Sequence, residues 1–424
     1  MANREELIQA VQKADERFEE LYGKENIESQ KNRYLKAIES FCLTYGERDN
    51  LMIFSAPGRT EIGGNHTDHN LGKVLAGSVN LDVIAVVSKN ESSCIRIHSE
   101  GYGGDCIAID DLMIHEEEIG QSSALVRGMA AAFQKKGYQI GGFDAYVTSN
   151  VLKGSGLSSS AAFEVLVGTV LNGLYNEQRV SSVEIAKMAQ YAENVFFKKP
   201  CGLMDQMASA VGGIITIDFK EKEEPVIEKV EFDFSKSGYA LCIVDTGGNH
   251  ADLTEEYASI PSEMKRIAGY FGKSVLREVT KEEILSKIGD LRVRFGDRAV
   301  LRAFHYLDDN DRVTKQVEAL NRNDFETFKE LIIASGNSSF CFLQNVYATI
   351  NPKEQGLSLA IYLAKSILDG KGAYRVHGGG FGGTIQNFVP LNLVDEFKTK
   401  IERVFGEGKC HILFIRNHGG IQVL

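Results

Sequence analysis

Residues 152–165 combine a run of glycine and serine with the start of an apolar pattern. Glycine lets the backbone approach an anion closely, and the free N–H groups of a first helical turn favour negative charge. Serine hydroxyls can add donors or hold a metal ion. No lysine follows the second glycine, so the run is not a Walker A motif. We predict a phosphate-binding loop that leads into a buried helix, with a plain linker as the alternative. The loop residues are Gly154, Ser155, Gly156, Leu157, Ser158, Ser159 and Ser160.

A second polar cluster occupies residues 58–70, next to a short predicted strand. Asp68 can accept hydrogen bonds from hydroxyl groups, while Asn65 and His66 can both accept and donate. This composition favours a site for a polyol such as a sugar. A solvated turn is the alternative interpretation.

Two carboxylates and a glycine-rich segment complete the candidate chemistry. Glu193 lies near the end of a predicted helix, and Asp205 follows it within an otherwise poorly charged stretch. Such a pair could hold Mg²⁺, or one member could take a proton from a hydroxyl group. For Glu193 alone, a solvated helix face is the simpler interpretation. The five glycines within residues 377–383 allow close backbone approach, although a glycine-rich hairpin would look the same.

Hydrophobic periodicity and turn signals predict the elements that position these residues. Helices are expected at 5–22, 34–45, 122–136, from a Ser181–Glu184 capping box to Lys198–Lys199, and at 311–320, 324–335 and 357–368. Strands are expected at 53–59, 82–88, 94–98, 143–149, 213–219, 239–244, 374–377, 384–389 and 411–415. Strands and helices alternate without repeated βαβ units, which predicts an α+β fold. The charged stretch 220–225 is the predicted hairpin tip or domain junction, dividing the chain into domains 1–220 and 221–424.

The composition and charge of the chain limit the classes of molecule that it could bind. The chain has 424 residues, a net charge of -11 and 43% hydrophobic content, which are typical of a soluble protein of two domains. Its acidity argues against nucleic acid or an anionic membrane as a general partner. The seven cysteines include no CxxC pair and predict neither a disulfide framework nor a zinc site. With no secretory or membrane-spanning run, we expect a cytoplasmic protein with reduced thiols. Oligomeric state stays open.

Four motifs in a fixed order give the chain a family resemblance. They are Pro-Gly-Arg with His-Thr-Asp, Gly-Leu-Ser-Ser-Ser-Ala-Ala, Cys-Gly-Leu-Met-Asp-Gln, and Gly-Gly-Gly-Phe-Gly-Gly. This order resembles the GHMP kinases and, within them, the galactokinases. The resemblance runs from Phe41 to Glu263 and from Gly372 to Val389, and it is thin between Leu276 and Ala364.

The resemblance implies a fold, a reaction and a set of roles. The fold would join an N-terminal ribosomal-protein-S5-like domain to a C-terminal ferredoxin-like domain, with the active site between them. The reaction would be ATP-dependent phosphorylation of a sugar at its anomeric hydroxyl, with Mg²⁺. The phosphate loop would hold ATP, Ser160 and Glu193 would hold Mg²⁺, Asp205 would be the catalytic base, and Arg59 would stabilise the transition state. The sugar would be contacted by Asn65, His66, Thr67, Asp68 and Tyr257.

The chain also departs from the galactokinase pattern Gly-Arg-Val-Asn-Leu-Ile-Gly-Glu-His-Thr-Asp-Tyr. Glu61 stands in place of Asn, Asn65 in place of Glu, and His69 in place of Tyr; residues 350–355 also differ from the family. A carboxylate accepts from two hydroxyls, whereas an amide accepts from one partner and donates to another. Galactose is therefore the leading prediction. A pentose, a 6-deoxy or N-acetylated sugar, a non-sugar alcohol, and a non-catalytic sensor of sugar and ATP stay open.

Overall fold

A computed structural model describes residues 2–152, 156–221, 224–247 and 253–424. Helices in this part of the chain are α1 (Arg4–Lys13), α2 (Asp15–Tyr22), α3 (Ile27–Tyr45), α4 (Ser122–Lys135), α5 (Ser159–Tyr175), α6 (Ser182–Tyr191), α7 (Met204–Val211), α8 (Thr254–Tyr270), α9 (Lys281–Ser286), α10 (Ile288–Phe295), α11 (Asp297–Asn321), α12 (Phe325–Ser338), α13 (Gly356–Leu368) and α14 (Val394–Phe405). None of these helices is long and apolar enough to cross a membrane.

The strands form two sheets. They are β1 (Met52–Gly63), β2 (Lys73–Lys89), β3 (Cys94–Ser99), β4 (Gly104–Ala108), β5 (Phe143–Ser149), β6 (Ile214–Asp218), β7 (Val226–Lys229), β8 (Tyr239–Asp245), β9 (Ala373–His377), β10 (Thr384–Pro390), β11 (Cys410–Leu413) and β12 (Ile421–Gln422). The mixture of helices and strands confirms the predicted α+β class.

The first sheet has the strand order β12-β1-β2-β5-β3-β4, with β6 and β7 attached beside β2. Its central strand β1 is buried on both faces because side chains alternate between two cores. Phe54 belongs to the core beneath α4–α7, whereas Ile53 belongs to the core beneath α1–α3. This double coverage explains why nearly every residue of β1 and β2 is buried, and it fixes the strand that carries Arg59 and Glu61.

The second sheet has the order β11-β8-β10-β9 and is antiparallel throughout. Helices α13 and α14 cover one face, and α12 packs on the other face beside β9. Taken with α13 and α14, the strands follow the β-α-β-β-α-β order of ferredoxin-like domains, as the resemblance implied. The connection between β9 and β10 is the glycine-rich segment. The two strands beside it reach β1 of the first sheet, because His377 and Gln386 both hydrogen-bond to the Thr60 hydroxyl.

Chain tracing bears on the predicted division at residue 220. Strand β7 still pairs with β6 in the first sheet, so 220–225 joins two strands of a hairpin; Lys222 and Glu223 lie outside the described residues. The C-terminal strand β12 also returns to pair with β1. The second sheet therefore begins at Tyr239, and the domain boundary stays a prediction.

Several local expectations were wrong. The helix predicted at 5–22 is interrupted at Ala14, giving α1 and α2. Ser181 caps α6 by accepting from the Glu184 N–H at 3.2 Å, but the Glu184 side chain bonds to hydroxyl groups, so only half of the capping box forms. The chain also pairs Cys94 with Cys106 in a disulfide between β3 and β4, against the expectation that the thiols are all reduced.

Candidate active site

A cavity of about 250 Å³ lies where β1, α7, the start of α8 and the β9–β10 connection meet. Its walls carry five of the polar side chains that the sequence singled out, namely Arg59, His66, Asp68, Asp205 and Tyr257, together with glycines of the segment 377–383. The lining residues are Arg59, Glu61, His66, Asp68, His69, Lys199, Pro200, Cys201, Gly202, Met204, Asp205, Tyr257, Gly378 and Gly379. Parts of the polar cluster 58–70 and of the glycine-rich segment, together with Asp205, therefore meet at one small polar cavity.

Arg59 and Asp205 form a bidentate ion pair at one end of this cavity. The Nε and Nη2 atoms of Arg59 donate to the two Asp205 carboxylate oxygens at 2.7 and 2.8 Å. Asp205 lies in the first turn of α7, and Arg59 is held by β1, so the pair connects two rigid elements. Planar, two-point contacts of this kind fix orientation as well as charge.

The surroundings keep the Asp205 carboxylate ionised. Burial acts to raise its pKa, but the Arg59 charge and hydrogen bonds from Arg59 and Ser158 outweigh burial and lower the pKa below its ordinary value. The side chain is still 31% exposed and faces the cavity. A substrate hydroxyl in the cavity would meet an anionic acceptor.

The predicted phosphate loop lies beside this ion pair. Gly156 has φ +71°, its carbonyl accepts from Arg59 Nη1, and Ser158 has φ +55° immediately before α5 begins at Ser159. Leu157 is buried and anchors the loop in the core, while its carbonyl accepts from the Arg59 N–H at 3.0 Å. Gly154 and Ser155 lie outside the described residues. The described part leads into α5 as predicted, with the first-turn N–H groups at its N-terminus.

Glu193 lies on an irregular turn that the sequence did not predict. Helix α6 ends at Tyr191, and a π-helical turn, Ala192–Phe196, follows it. The Glu193 carboxylate accepts from Lys199 Nζ at 2.8 Å and from Gln206 Nε2 at 2.7 Å, and Ser160 Oγ lies 3.4 Å from it. The structure therefore brings Ser160 and Glu193 together, and π turns are frequent at functional sites.

Glu164 is a second carboxylate beneath Glu193, one that sequence reasoning missed. It is fully buried on α5, and Gln206 Nε2 donates to it at 3.2 Å. Burial and the neighbouring Glu193 carboxylate raise the pKa of Glu164 well above its ordinary value. Gln206 thus bridges the two carboxylates. The Met-Asp-Gln motif contained this signal, but the motif alone did not show which residues the amide would join.

Three predicted sugar-binding residues line the opposite wall. His66 Nε2 donates to the Gly379 carbonyl at 2.9 Å, and burial lowers the pKa of His66 to about 3, so the ring is neutral. Its ring lies 5.0 Å from that of Tyr257. A Cβ atom on Gly202 would lie only 2.6 Å from an Asp68 oxygen, so glycine lets the Asp68 carboxylate lie close to the chain there.

Asn65 and Thr67 occupy a different place from the one expected. Both are fully buried, and neither lines the cavity. The Asn65 amide donates to the Gly378 carbonyl at 2.7 Å and accepts from Asn345 Nδ2 at 2.8 Å. Thr67 donates to the Lys73 carbonyl at 2.6 Å. The predicted contact of these two residues with the sugar stays a prediction; in this structure their side chains bond to protein groups behind the wall.

The wall position next to Asn65 is taken by Glu61 instead. Its Oε1 accepts from Arg375 Nη2 at 2.6 Å and from Asn65 Nδ2 at 3.0 Å. Burial raises the pKa of Glu61 to about 7, although Arg375 and the Asn65 hydrogen bond act to lower it. The sequence marked Glu61 only as a departure from the family pattern, because Arg375 lies 314 positions away.

Comparison with known proteins agrees with this geometry. Residues 124–213 match the family model described as the GHMP kinases N terminal domain, and residues 39–89 match the galactokinase galactose-binding signature. The structure of Methanococcus jannaschii mevalonate kinase superposes with a TM-score of 0.62 over 87% of this chain and 99% of that chain, at 13% identity. Fold and phosphate loop together define a GHMP-type kinase.

Relatives of higher sequence identity identify the family within the GHMP kinases. The crystal structure of Lactococcus lactis galactokinase complexed with galactose matches with a TM-score of 0.77 at 25% identity, covering 92% of this chain and all of that one. A galactokinase from Actinobacillus pleuropneumoniae serotype 5b (strain L20) is 31% identical over 379 residues, 85% of this chain and 91% of the relative. The chain belongs to the galactokinase family and is a sugar kinase, which confirms the resemblance drawn from the motif order.

Proposed function

We propose that this protein transfers the γ-phosphoryl group of ATP to the anomeric hydroxyl of galactose, giving galactose 1-phosphate and ADP. The observation that carries the proposal is the Arg59–Asp205 pair, which faces a sugar-sized polar cavity on one side and the phosphate loop on the other. The match of residues 39–89 to a galactose-binding signature and the galactose-bound relative support galactose as the sugar.

The chemistry follows from the positions of these groups. Phosphoryl transfer needs alignment and stabilisation of charge on the phosphate oxygens. The anomeric hydroxyl would donate to Asp205, and its oxygen would form the new bond to phosphorus as the bond to the leaving ADP oxygen breaks. Asp205 takes the hydroxyl proton, while Arg59 and the N–H groups at the start of α5 stabilise the negative charge. Lys199 lies on the same wall and adds positive charge.

Sugar recognition would come from the wall opposite Arg59. Asp68 accepts from hydroxyl groups, and the neutral His66 and the half-exposed Tyr257 provide a ring surface. Asn65 and Thr67 hold this wall in place. These roles carry over the predicted substrate-binding set, with Asn65 and Thr67 acting through their neighbours.

Ser160 and Glu193 fit a magnesium site that also uses the nucleotide. Both supply oxygen ligands, and Mg²⁺ in kinases is held by one or two protein oxygens together with substrate phosphates. No group of three or more His, Cys, Asp or Glu among the described residues could hold a metal alone, which agrees with such sharing. When bound, Mg²⁺ would neutralise charge on the phosphates. Glu193→Gln should raise the Mg²⁺ concentration needed for half-maximal activity by roughly 10- to 100-fold.

A sugar panel tests the proposed function. Wild-type protein and ATP are assayed with galactose, pentoses, 6-deoxy and N-acetylated hexoses, and ADP release is measured. Galactose should have the highest kcat/KM, and the phosphorus NMR signal of the product should couple to the anomeric proton. A preference of tenfold or more for another sugar, or binding without turnover of any sugar, would reject galactose 1-phosphorylation.

A further inference from the structure

Glu61 presents one carboxylate oxygen to the sugar cavity and keeps the other in the protein. Its Oε1 is held by two donors, Arg375 Nη2 at 2.6 Å and Asn65 Nδ2 at 3.0 Å. Its Oε2 accepts no hydrogen bond from any described residue and is not enclosed by protein, while the residue lines the cavity. In the ionised side chain, Oε2 is therefore an acceptor that is free to meet a ligand.

Glu61 also lies at the right place along β1. Arg59 and Glu61 are two positions apart on one strand, so their side chains leave the same face of the sheet. Arg59 marks the reacting end of the cavity through Asp205. A sugar whose anomeric hydroxyl meets Asp205 would extend one of its other hydroxyls toward Glu61.

The exchange of residue types between positions 61 and 65 can now be explained. The galactokinase pattern has Asn and then Glu at these positions, whereas this chain has Glu61 and Asn65, and the two side chains are in direct contact. The pair keeps one carboxylate and one amide. The Asn65 side-chain amide bonds only to protein groups, and its oxygen accepts from Ser339 and Asn345. The Glu61 carboxylate is therefore the group of this pair that faces the cavity.

We propose that Glu61 is the specificity-determining residue of this sugar site, with Oε2 accepting a hydrogen bond from one sugar hydroxyl other than the anomeric one. The inference rests on the proposed function, since it assumes that galactose occupies the cavity. It assigns recognition to a position that the sequence pattern did not mark as a sugar contact.

Glu61→Gln tests this contact because it exchanges an acceptor for a donor. Arg375 and Asn65 both donate to Oε1, so the new amide must turn its carbonyl oxygen toward them and its NH₂ group toward the cavity. A hydroxyl that donates to Glu61 would then face another donor. Above pH 8, where Glu61 is mostly ionised, galactose affinity should fall by about tenfold or more, because hydrogen bonds to charged groups are among the stronger ones.

The experiment measures Kd by calorimetry for galactose and its 2-, 3-, 4- and 6-deoxy derivatives, with wild type, Glu61→Gln and the exposed control Glu47→Gln. In wild type and the control, one deoxy sugar should bind at least tenfold more weakly than galactose through loss of this contact. In Glu61→Gln that penalty should shrink to threefold or less, while the penalties at the other positions stay unchanged. A purely structural role for Glu61 would not single out one hydroxyl.

Other outcomes overturn the inference. If removing a hydroxyl weakened binding equally in wild type and Glu61→Gln at every position of the sugar, Glu61 would contact no hydroxyl. If Glu61→Gln bound galactose and all deoxy sugars more weakly by the same factor, the substitution would have disturbed the site as a whole. If Glu61→Gln does not fold, Glu61→Asp keeps the charge beside Arg375 but withdraws the oxygen by one methylene, and it must show the same single-position change. Failure of wild type to phosphorylate galactose would instead reject the proposed function and this inference together.

Discussion

Two arginine–carboxylate pairs border the same cavity, and the pKa values of their carboxylates are shifted in opposite directions. Arg59–Asp205 lies at the reacting end, and Arg375–Glu61 lies at the sugar wall; β1 supplies the arginine of one and the carboxylate of the other. Asp205 has a lowered pKa, whereas Glu61 has a pKa raised to about 7. An arginine partner alone therefore does not decide the charge of a carboxylate.

The difference follows from hydrogen bonding and burial. Asp205 receives two bonds from Arg59 and one from Ser158, and its side chain is 31% exposed. Glu61 receives a single contact from Arg375, and its side chain is only 7% exposed. Burial disfavours the charged form, and the contacts of Arg375 and Asn65 with Glu61 do not offset it. The proposed base Asp205 is thereby kept anionic, while Glu61, on the proposed sugar wall, titrates near neutral pH.

The largest expected effect comes from removing the charge of the base. Asp205→Asn keeps the shape of the side chain but cannot accept the hydroxyl proton, so kcat should fall about 10³-fold or more. Galactose affinity, measured by calorimetry, should change far less, because the sugar wall is intact. A variant within tenfold of wild-type kcat would remove Asp205 from the role of base.

Glu61 should make stability depend on pH in a way that Asp205 does not. Its folded pKa of about 7 lies above the ordinary value of 4.5, so the folded state holds a proton that the unfolded chain has lost. This contribution is fully present below pH 4.5 and is lost as pH rises through 7. Relative to Glu61→Gln, wild type should therefore lose about 3 kcal/mol of unfolding free energy between pH 4.5 and 8.

Urea unfolding of both proteins across this pH range measures the difference, and Glu47→Gln should run parallel to wild type. If the unfolding free energies of wild type and Glu61→Gln changed in parallel with pH, Arg375 would keep Glu61 ionised. The Arg375–Glu61 and Arg59–Asp205 pairs would then no longer differ in the charge of their carboxylates.

Arg59→Lys should weaken the reacting end without removing its charge. Lysine is a point charge and cannot reproduce the two-point contact with Asp205, so kcat/KM should fall about 100-fold. The acid limb of the pH profile should also move upward, because Asp205 loses donors that lower its pKa. Nearly wild-type kinetics would show that charge alone suffices at position 59.

The smallest change is expected for Ser158→Ala. One donor to Asp205 is lost while both Arg59 bonds remain, so kcat should fall by roughly tenfold or less. The acid limb should shift in the same direction as in Arg59→Lys, but less far. If kcat fell further in Ser158→Ala than in Arg59→Lys, Ser158 rather than Arg59 would be the residue that mainly sets the pKa of Asp205.

The sequence predicted the reacting end better than the sugar wall. Arg59, Ser158 and Asp205 belong to compact motifs whose order along the chain resembles a known family, and that resemblance predicted that they meet. The burial of Asn65 depends on Ser339, Asn345 and Gly378, which are remote in sequence and lie in no motif with it. The Arg375–Glu61 pair likewise forms only when β9 packs against β1.

Local irregularities also escaped prediction. The π turn at Ala192–Phe196 continues an ordinary helical pattern, and only packing against Lys199 and Gln206 reveals where Glu193 points. Strands β1 and β2 were predicted too short. Arg59, Thr60 and Glu61 interrupt the apolar alternation that marks a strand in β1, and Gly77, Ser78 and Asn80 interrupt it in β2.

A crystal structure with galactose and a non-hydrolysable ATP analogue tests the central claim most directly. We predict the anomeric oxygen within hydrogen-bond distance of Asp205, the γ-phosphate beside Arg59 and the start of α5, and a second sugar hydroxyl on Glu61 Oε2. A sugar bound with its anomeric oxygen away from Asp205, or outside this cavity, would contradict the account.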